Sequence, residues 1–186
     1  STPENQDAFR IMTIHKSKGL EFPFVFLCRT ATTFRNQRND LSRQMLINLY
    51  NGIGFRLQEP EKYLKYTTLP YDAIKLVNET EMLSEEMRLL YVALTRAKEH
   101  LFITYSMGNN FQKKIESLAM SIARAGRVTP EIVRTANSMQ DWLTMSLLVY
   151  EGDSFLRDMC VAELKIPTHS TNASIEFIEG ADILSR

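Results

Sequence analysis

Residues 84–105 read SEEMRLLYVALTRAKEHLFITY. Met87, Leu90, Tyr91 and Leu94 recur at the i, i+3, i+4, i+7 spacing and define one helical face. Leu89, Val92 and Ala93 cover a second face, which predicts a helix buried on most of its circumference. Helical periodicity begins near Tyr71 and continues to about Lys98, and the strand pattern HLFITY (100–105) follows directly. A helix, a short turn and a strand in that order form an αβ crossover, so a parallel sheet is expected.

Upstream, FRIMTI (Phe9–Ile14) reads as a short strand that runs into the polar, glycine-containing stretch HKSKGLEF. Phe24–Leu27 reads as a second strand, apolar on both faces as a buried parallel strand should be. Pro23 stands just before it, where a missing N–H is tolerable. The expected sheet therefore contains Phe9–Ile14, Phe24–Leu27 and His100–Tyr105, with a Leu83–Lys98 helix packed on it. Between the strands, ATTFRNQRNDLSRQ (31–44) is expected to be a surface loop. MLINLY and GFRLQ flank Asn51-Gly52-Ile53, and Asn-Gly is a strong hairpin signal. A small antiparallel hairpin over about 44–59 is expected, as an insertion on the edge of the main sheet.

Downstream the pattern is helical. One helix covers about Asn110–Ala125 and stops near Gly126. Thr129-Pro130 is a helix start with Pro at the first helical position, and SMQDWLTMSLLVY (138–150) is a further apolar helix. VAELKI (161–166) and SIEFIE (174–179) carry weak strand patterns.

At 186 residues with 44% hydrophobic and 24% charged residues, the chain is long enough and apolar enough for one domain with an extension. The formal net charge is zero, so bulk charge gives no hint of nucleic acid and any such claim must rest on particular residues. Cys28 and Cys160 have no metal-type spacing, and no resident metal site is expected. The scarcity of cysteine fits a reducing compartment, no apolar run is of membrane-spanning length, and a cytoplasmic location is the expectation.

Two constellations carry candidate chemistry. The first is TIHKSKGLE (13–21), leaving the C-terminal end of a predicted strand, where open α/β sheets place their ligands. Thr13 and His15 project from one side of that strand end and suit phosphate oxygens or a base. Gly19 permits close backbone approach, and Glu21 can accept hydrogen bonds from a sugar hydroxyl. Taken alone, the segment is also read as a polar turn with Gly19 as its bend. The second is the polar stripe Glu85, Arg88, Thr95, Arg96 and Glu99 on the long helix. Buried arginines need anionic partners; Arg88 has Glu85 within one turn, and Arg96 has Glu99 or a cleft at the helix end. Taken alone, this too is read as a structural ion pair.

Together and in this order, TIHKSKGLEF (13–22) and EEMRLLYVALTRAKEHLFI (85–103) resemble motifs V and VI of the UvrD/Rep-like superfamily 1 DNA helicases. The intervening segment 46–75 and ANSMQDWL (136–143) are similar to one branch, the AddA (RexA) subunits of bacterial helicase–nuclease complexes, relatives of RecB. The resemblance covers roughly residues 8–150. It implies an α/β fold: part of a RecA-like (P-loop NTPase) domain with a parallel sheet, an inserted β-hairpin and C-terminal helices. Residues 1–106 are then the C-terminal part of the second RecA-like domain, 107–151 its helical extension, and 152–186 a linker or tail toward a downstream domain.

By resemblance, Thr13 and His15 contact DNA, Gly19 and Glu21 lie near the nucleotide with Glu21 on the ribose, and Arg96 is the arginine finger. The implied cofactors are ATP and Mg²⁺. The implied partners are single- and double-stranded DNA and a second helicase–nuclease subunit, with no membrane. The implied work is translocation on single strands and duplex unwinding in double-strand break repair and recombination, with exonuclease activity further downstream. The sequence holds no GxxxxGK[ST] loop, no carboxylate cluster identifiable with a nuclease and no four-cysteine iron–sulfur pattern. The chain is therefore expected to be an inactive piece of a much larger protein. The alternatives are a UvrD-like repair helicase without a nuclease, and a non-catalytic docking module for a partner.

Overall fold

The computed structural model describes residues 9–34, 43–105, 108, 110–151, 155–160 and 168–169. The chain divides into two units, Ser1–Thr30 with Phe34–Thr104, and Ala31–Thr33 with Tyr105–Arg186.

In the first unit, strand β1 (Phe22–Leu27) pairs in parallel with β5 (Ala97–Ile103), as the crossover pattern predicts. Phe24 stands opposite His100 and Phe26 opposite Phe102, with ring centroids 5.4 Å and 4.6 Å apart and nearly coplanar stacking. The register slips between Phe22 and Phe24, at Pro23, which has no N–H for the ladder. β5 starts and ends earlier than the pattern suggests, at Ala97 and Ile103.

Three expectations are corrected here. Phe9–Ile14 forms no strand; Phe9 and Ile11 are fully exposed and Ile14 already belongs to a 3-10 turn, Ile14–Ser17. A strand persists only where its backbone groups find a ladder partner, and none of the described strands pairs with this segment. β1 is not buried on both faces, since Phe24 and Phe26 are 56% and 59% exposed; none of the described helices covers that aromatic ladder extensively. The third correction concerns helix α1 (Leu69–Leu94). It packs on the 3-10 turn and on a separate antiparallel sheet rather than on β1 and β5. It is buried along one narrow stripe (Tyr71, Ile74, Glu86, Leu90 and Ala93) and leaves Tyr91 exposed.

That second sheet contains the expected hairpin, β2 (Met45–Asn48) with β3 (Gly52–Glu59), and adds β4 (Leu64–Thr67) in antiparallel order β2-β3-β4. It is no extension of the parallel sheet. At the hairpin turn the Asn48 side-chain oxygen accepts from the N–H groups of Tyr50 (3.0 Å) and Asn51 (3.1 Å). The Asn48 amide in turn donates to Asn78 Oδ1 on α1 at 2.8 Å. Gly52 supplies the positive φ of +83°, cheap only for glycine. Gly54 is needed for a different reason: a Cβ there would lie 2.4 Å from Tyr71 Cα. The sheet therefore sits directly on the first turn of α1, around a core of Leu46, Tyr71 and Ile74.

α1 starts where its sequence provides a cap. Thr68 Oγ1 accepts from the Tyr71 N–H and Pro70 occupies the first turn. It stops four residues before the expected Lys98, because Thr95 turns its hydroxyl back onto the helix carbonyls and the chain enters β5 at Ala97.

The second unit is helical among its described residues: α2 (Phe111–Ala125), α3 (Pro130–Arg134), α4 (Met139–Leu148) and α5 (Phe155–Asp158). α2 ends on Gly126 at φ +70° and α3 begins on the Thr129 cap, both as expected. Trp142 and Met145 are core residues, with the indole N–H donating to Val133 O at 2.9 Å. Buried Asp141 joins Lys114 (2.6 Å) to the Asn137 N–H (2.7 Å). Tyr105 packs edge-on against Phe111 and shares a hydrogen bond with Thr144. The segments 161–166 and 174–179 lie outside the described residues.

Candidate functional site

The two sequence motifs meet, although not in the way the strand pattern suggests. Thr13 caps the 3-10 turn: its hydroxyl accepts from the Lys16 N–H at 3.4 Å, and its carbonyl accepts from Lys16 and Ser17. His15 lies within the turn, so Thr13 and His15 share a turn and not a strand end. Ser17 is buried and donates to Ile14 O at 2.7 Å, which fixes the turn from inside. Thr13, His15, Lys16, Lys18 and Gly19 are exposed. Gly19 has φ +83° with open space around it, so the chain can reverse and a ligand can approach the backbone there. Glu21 and Phe22 follow at once.

The second motif arrives from α1. The Arg96 carbonyl accepts from the Phe22 N–H at 2.9 Å. Its guanidinium donates from Nε to Val92 O (2.8 Å), from Nη1 to Leu20 O (2.9 Å) and from Nη2 to Thr95 Oγ1 (3.0 Å). The bond to Leu20 links residues 76 positions apart and ties the two motifs together. Lys98 Nζ lies 3.2 Å from Glu21 Oε2, with both side chains more than half exposed. Glu99, the partner expected for Arg96, makes none of the bonds found for it among the described residues.

Gly19, Glu21 and Arg96 thus lie on one edge, as expected, with Thr13 and His15 in the turn that leads to it. That edge is at the N-terminal ends of β1 and β5, not the C-terminal ends. The correction follows from the missing Phe9–Ile14 strand: the motif enters β1 from a turn, and Arg96 precedes β5.

Arg88 is exposed and not buried, and it is held by Glu85 through two bonds of 2.7 Å and 2.9 Å. The Arg88 hydrogen bond lowers the Glu85 carboxyl below its usual range, with further positive potential from His15 and Lys18 across the interface. For this pair the structural reading of the sequence holds. Thr95, the Leu20 carbonyl and Lys98 were not singled out as site groups by the sequence, because their roles depend on the β1–β5 register.

These features define a class. Residues 1–108 match the UvrD-like helicase C-terminal domain family, and the chain belongs to that family. Relatives over a longer stretch are all named as subunits of an ATP-dependent helicase/nuclease. The protein of Bacillus cytotoxicus is 37% identical over 185 residues, covering 98% of this chain and 15% of the relative. That of Geobacillus kaustophilus is 38% identical over 181 residues, covering 97% of this chain and 14% of the relative. That of Clostridium perfringens is 42% identical over 158 residues, covering 84% of this chain and 12% of the relative. The chain therefore spans about 15% of the length of the curated relatives it matches. Among the described residues no helix is long and apolar enough to cross a membrane, and no cluster of His, Cys, Asp and Glu could hold a metal ion.

Proposed function

We propose that this chain is part of the second motor domain of an ATP-dependent DNA helicase subunit that works with a nuclease. In the whole protein it would contribute single-strand DNA contacts through Thr13 and His15, nucleotide contacts through Gly19 and Glu21, and the finger Arg96. The work of that protein would be translocation on single strands and duplex unwinding during double-strand break repair and recombination in the cytoplasm. A second helicase–nuclease subunit would be its partner. The printed name of the relatives, which joins ATP dependence, helicase and nuclease in one multi-subunit enzyme, supports this reading over a helicase without nuclease.

The single observation that carries it is the Arg96–Leu20 bond, which sets an arginine beside Glu21 and the exposed turn. The residues present fit an anionic nucleotide. A guanidinium has five N–H donors and Arg96 uses three of them. Glu21 can exchange the exposed Lys98 for a sugar hydroxyl, since such surface pairs contribute only about 0–1 kcal/mol. Bound Mg²⁺–ATP supplies the phosphoanhydride and the charge to be neutralised; no residue of this chain is assigned to the metal. Arg96 would stabilise charge that develops on the terminal phosphate, an effect on the order of 10³–10⁵ in rate for arginine fingers.

The test is a pair of substitutions in the full-length protein. Arg96→Ala should lower DNA-stimulated ATP hydrolysis by about 10³-fold or more and leave single-strand DNA affinity nearly unchanged, because a finger acts on transition-state charge. His15→Ala should weaken the stimulation by DNA more than the basal turnover. Near-normal hydrolysis in the Arg96 variant removes the finger assignment.

A further inference from the structure

We propose that Thr95 is the positioning residue for Arg96, so that the guanidinium is aimed before any nucleotide arrives. This rests on the reading of Arg96 as the finger. Nε has a single N–H and gives it to Val92 O; Nη1 and Nη2 give one each to Leu20 O and Thr95 Oγ1. The two donors left over therefore lie one on each terminal nitrogen, the fork that suits a pair of phosphate oxygens. Arg96 need not break a bond to use it.

The three anchors are not equivalent. Leu20 belongs to the exposed segment after Gly19, whose φ of +83° and open surroundings give that backbone little packing to hold it. Val92 O fixes only the root of the guanidinium. Thr95 is the side-chain anchor, and its hydroxyl is itself held by the α1 carbonyls of Tyr91 (3.0 Å) and Val92 (3.1 Å). A hydroxyl has one hydrogen to donate and lone pairs to accept. Giving that hydrogen to the helix orients its lone pairs toward Arg96. Without it, the far end of the guanidinium would follow the Leu20 segment.

The experiment is steady-state ATP hydrolysis by the full-length protein with single-stranded DNA, using Thr95→Val, Thr95→Ser, Arg96→Ala and the Thr95→Val/Arg96→Ala double variant. Thr95→Val should lower kcat roughly ten- to a hundredfold, the range seen for groups that orient a ligand from behind, with KM for ATP nearly unchanged. Thr95→Ser should restore most of the loss, and the double variant should be no slower than Arg96→Ala alone. Losses that multiply in the double variant, a change confined to KM, or wild-type kcat in Thr95→Val would overturn the proposal. A wild-type kcat in Arg96→Ala would instead remove the finger reading itself. Thermal melting accompanies each variant. If Val lowers the Tm at this helix end, Thr95→Ala takes its place, with the same kcat loss expected and wild-type kcat again decisive against.

Discussion

At the scale of single residues, polar groups hold the positions that burial alone would not specify. Arg96 is directed by a hydroxyl and two carbonyls, and Asn48 by the turn it closes. Tyr105 offers a titration that reads out the second unit. Burial pushes its phenol up to about 12, the hydrogen bond with Thr144 acting the other way and Asp141 adding to the rise. The unfolded phenol ionises near its ordinary value of about 10. A raised folded pKa means the contribution is intact below about pH 10 and is lost as pH rises toward about 12. Urea midpoints measured across that window should fall with pH in the native chain and fall less steeply in Tyr105→Phe. Parallel slopes for the two would contradict the burial argument.

At the scale of elements, two glycines of one hairpin make opposite demands. Gly52 needs its positive φ and has open space around it; Gly54 has no positive φ and no space, with Tyr71 Cα in the way. Gly52→Ala should cost about 1–2 kcal/mol, the penalty for a side chain in the left-handed region. Gly54→Ala should cost more, because backbone atoms of α1 would have to move; overpacking of this kind costs about 1–3 kcal/mol and occasionally more. Denaturant unfolding checks the order, and a milder effect at Gly54 would mean the helix and sheet are not held in contact there. The hairpin itself was legible from Asn51-Gly52, as were the Thr129-Pro130 start and the Gly126 stop, since each is local chemistry. What failed was non-local. FRIMTI has strand character but finds no ladder among the described strands, and the Phe24–Leu27 run has core character but an open face. The long helix took its partner from the antiparallel sheet, which periodicity cannot name. The site showed the same division: Arg96 and the TIHKSKGLE segment stood out by type and order, whereas Thr95, Lys98 and the Leu20 carbonyl depend on register.

At the scale of the whole molecule, the residues on the site edge make half of a nucleotide site. The chain has an arginine with two donors to offer and a carboxylate beside it, and its sequence contains no glycine-rich phosphate loop. Charge-assisted hydrogen bonds of this kind net about 1.5–3 kcal/mol each, and binding must first offset lost translational and rotational freedom. The zero net charge likewise offers little counterion release to DNA. The most direct measurement is calorimetric titration of the 186-residue chain with a non-hydrolysable ATP analogue. A half site predicts affinity in the millimolar range or weaker, about −4 kcal/mol at most, with no hydrolysis of ATP itself. Micromolar binding would contradict the account, because it would require a complete phosphate site within this chain.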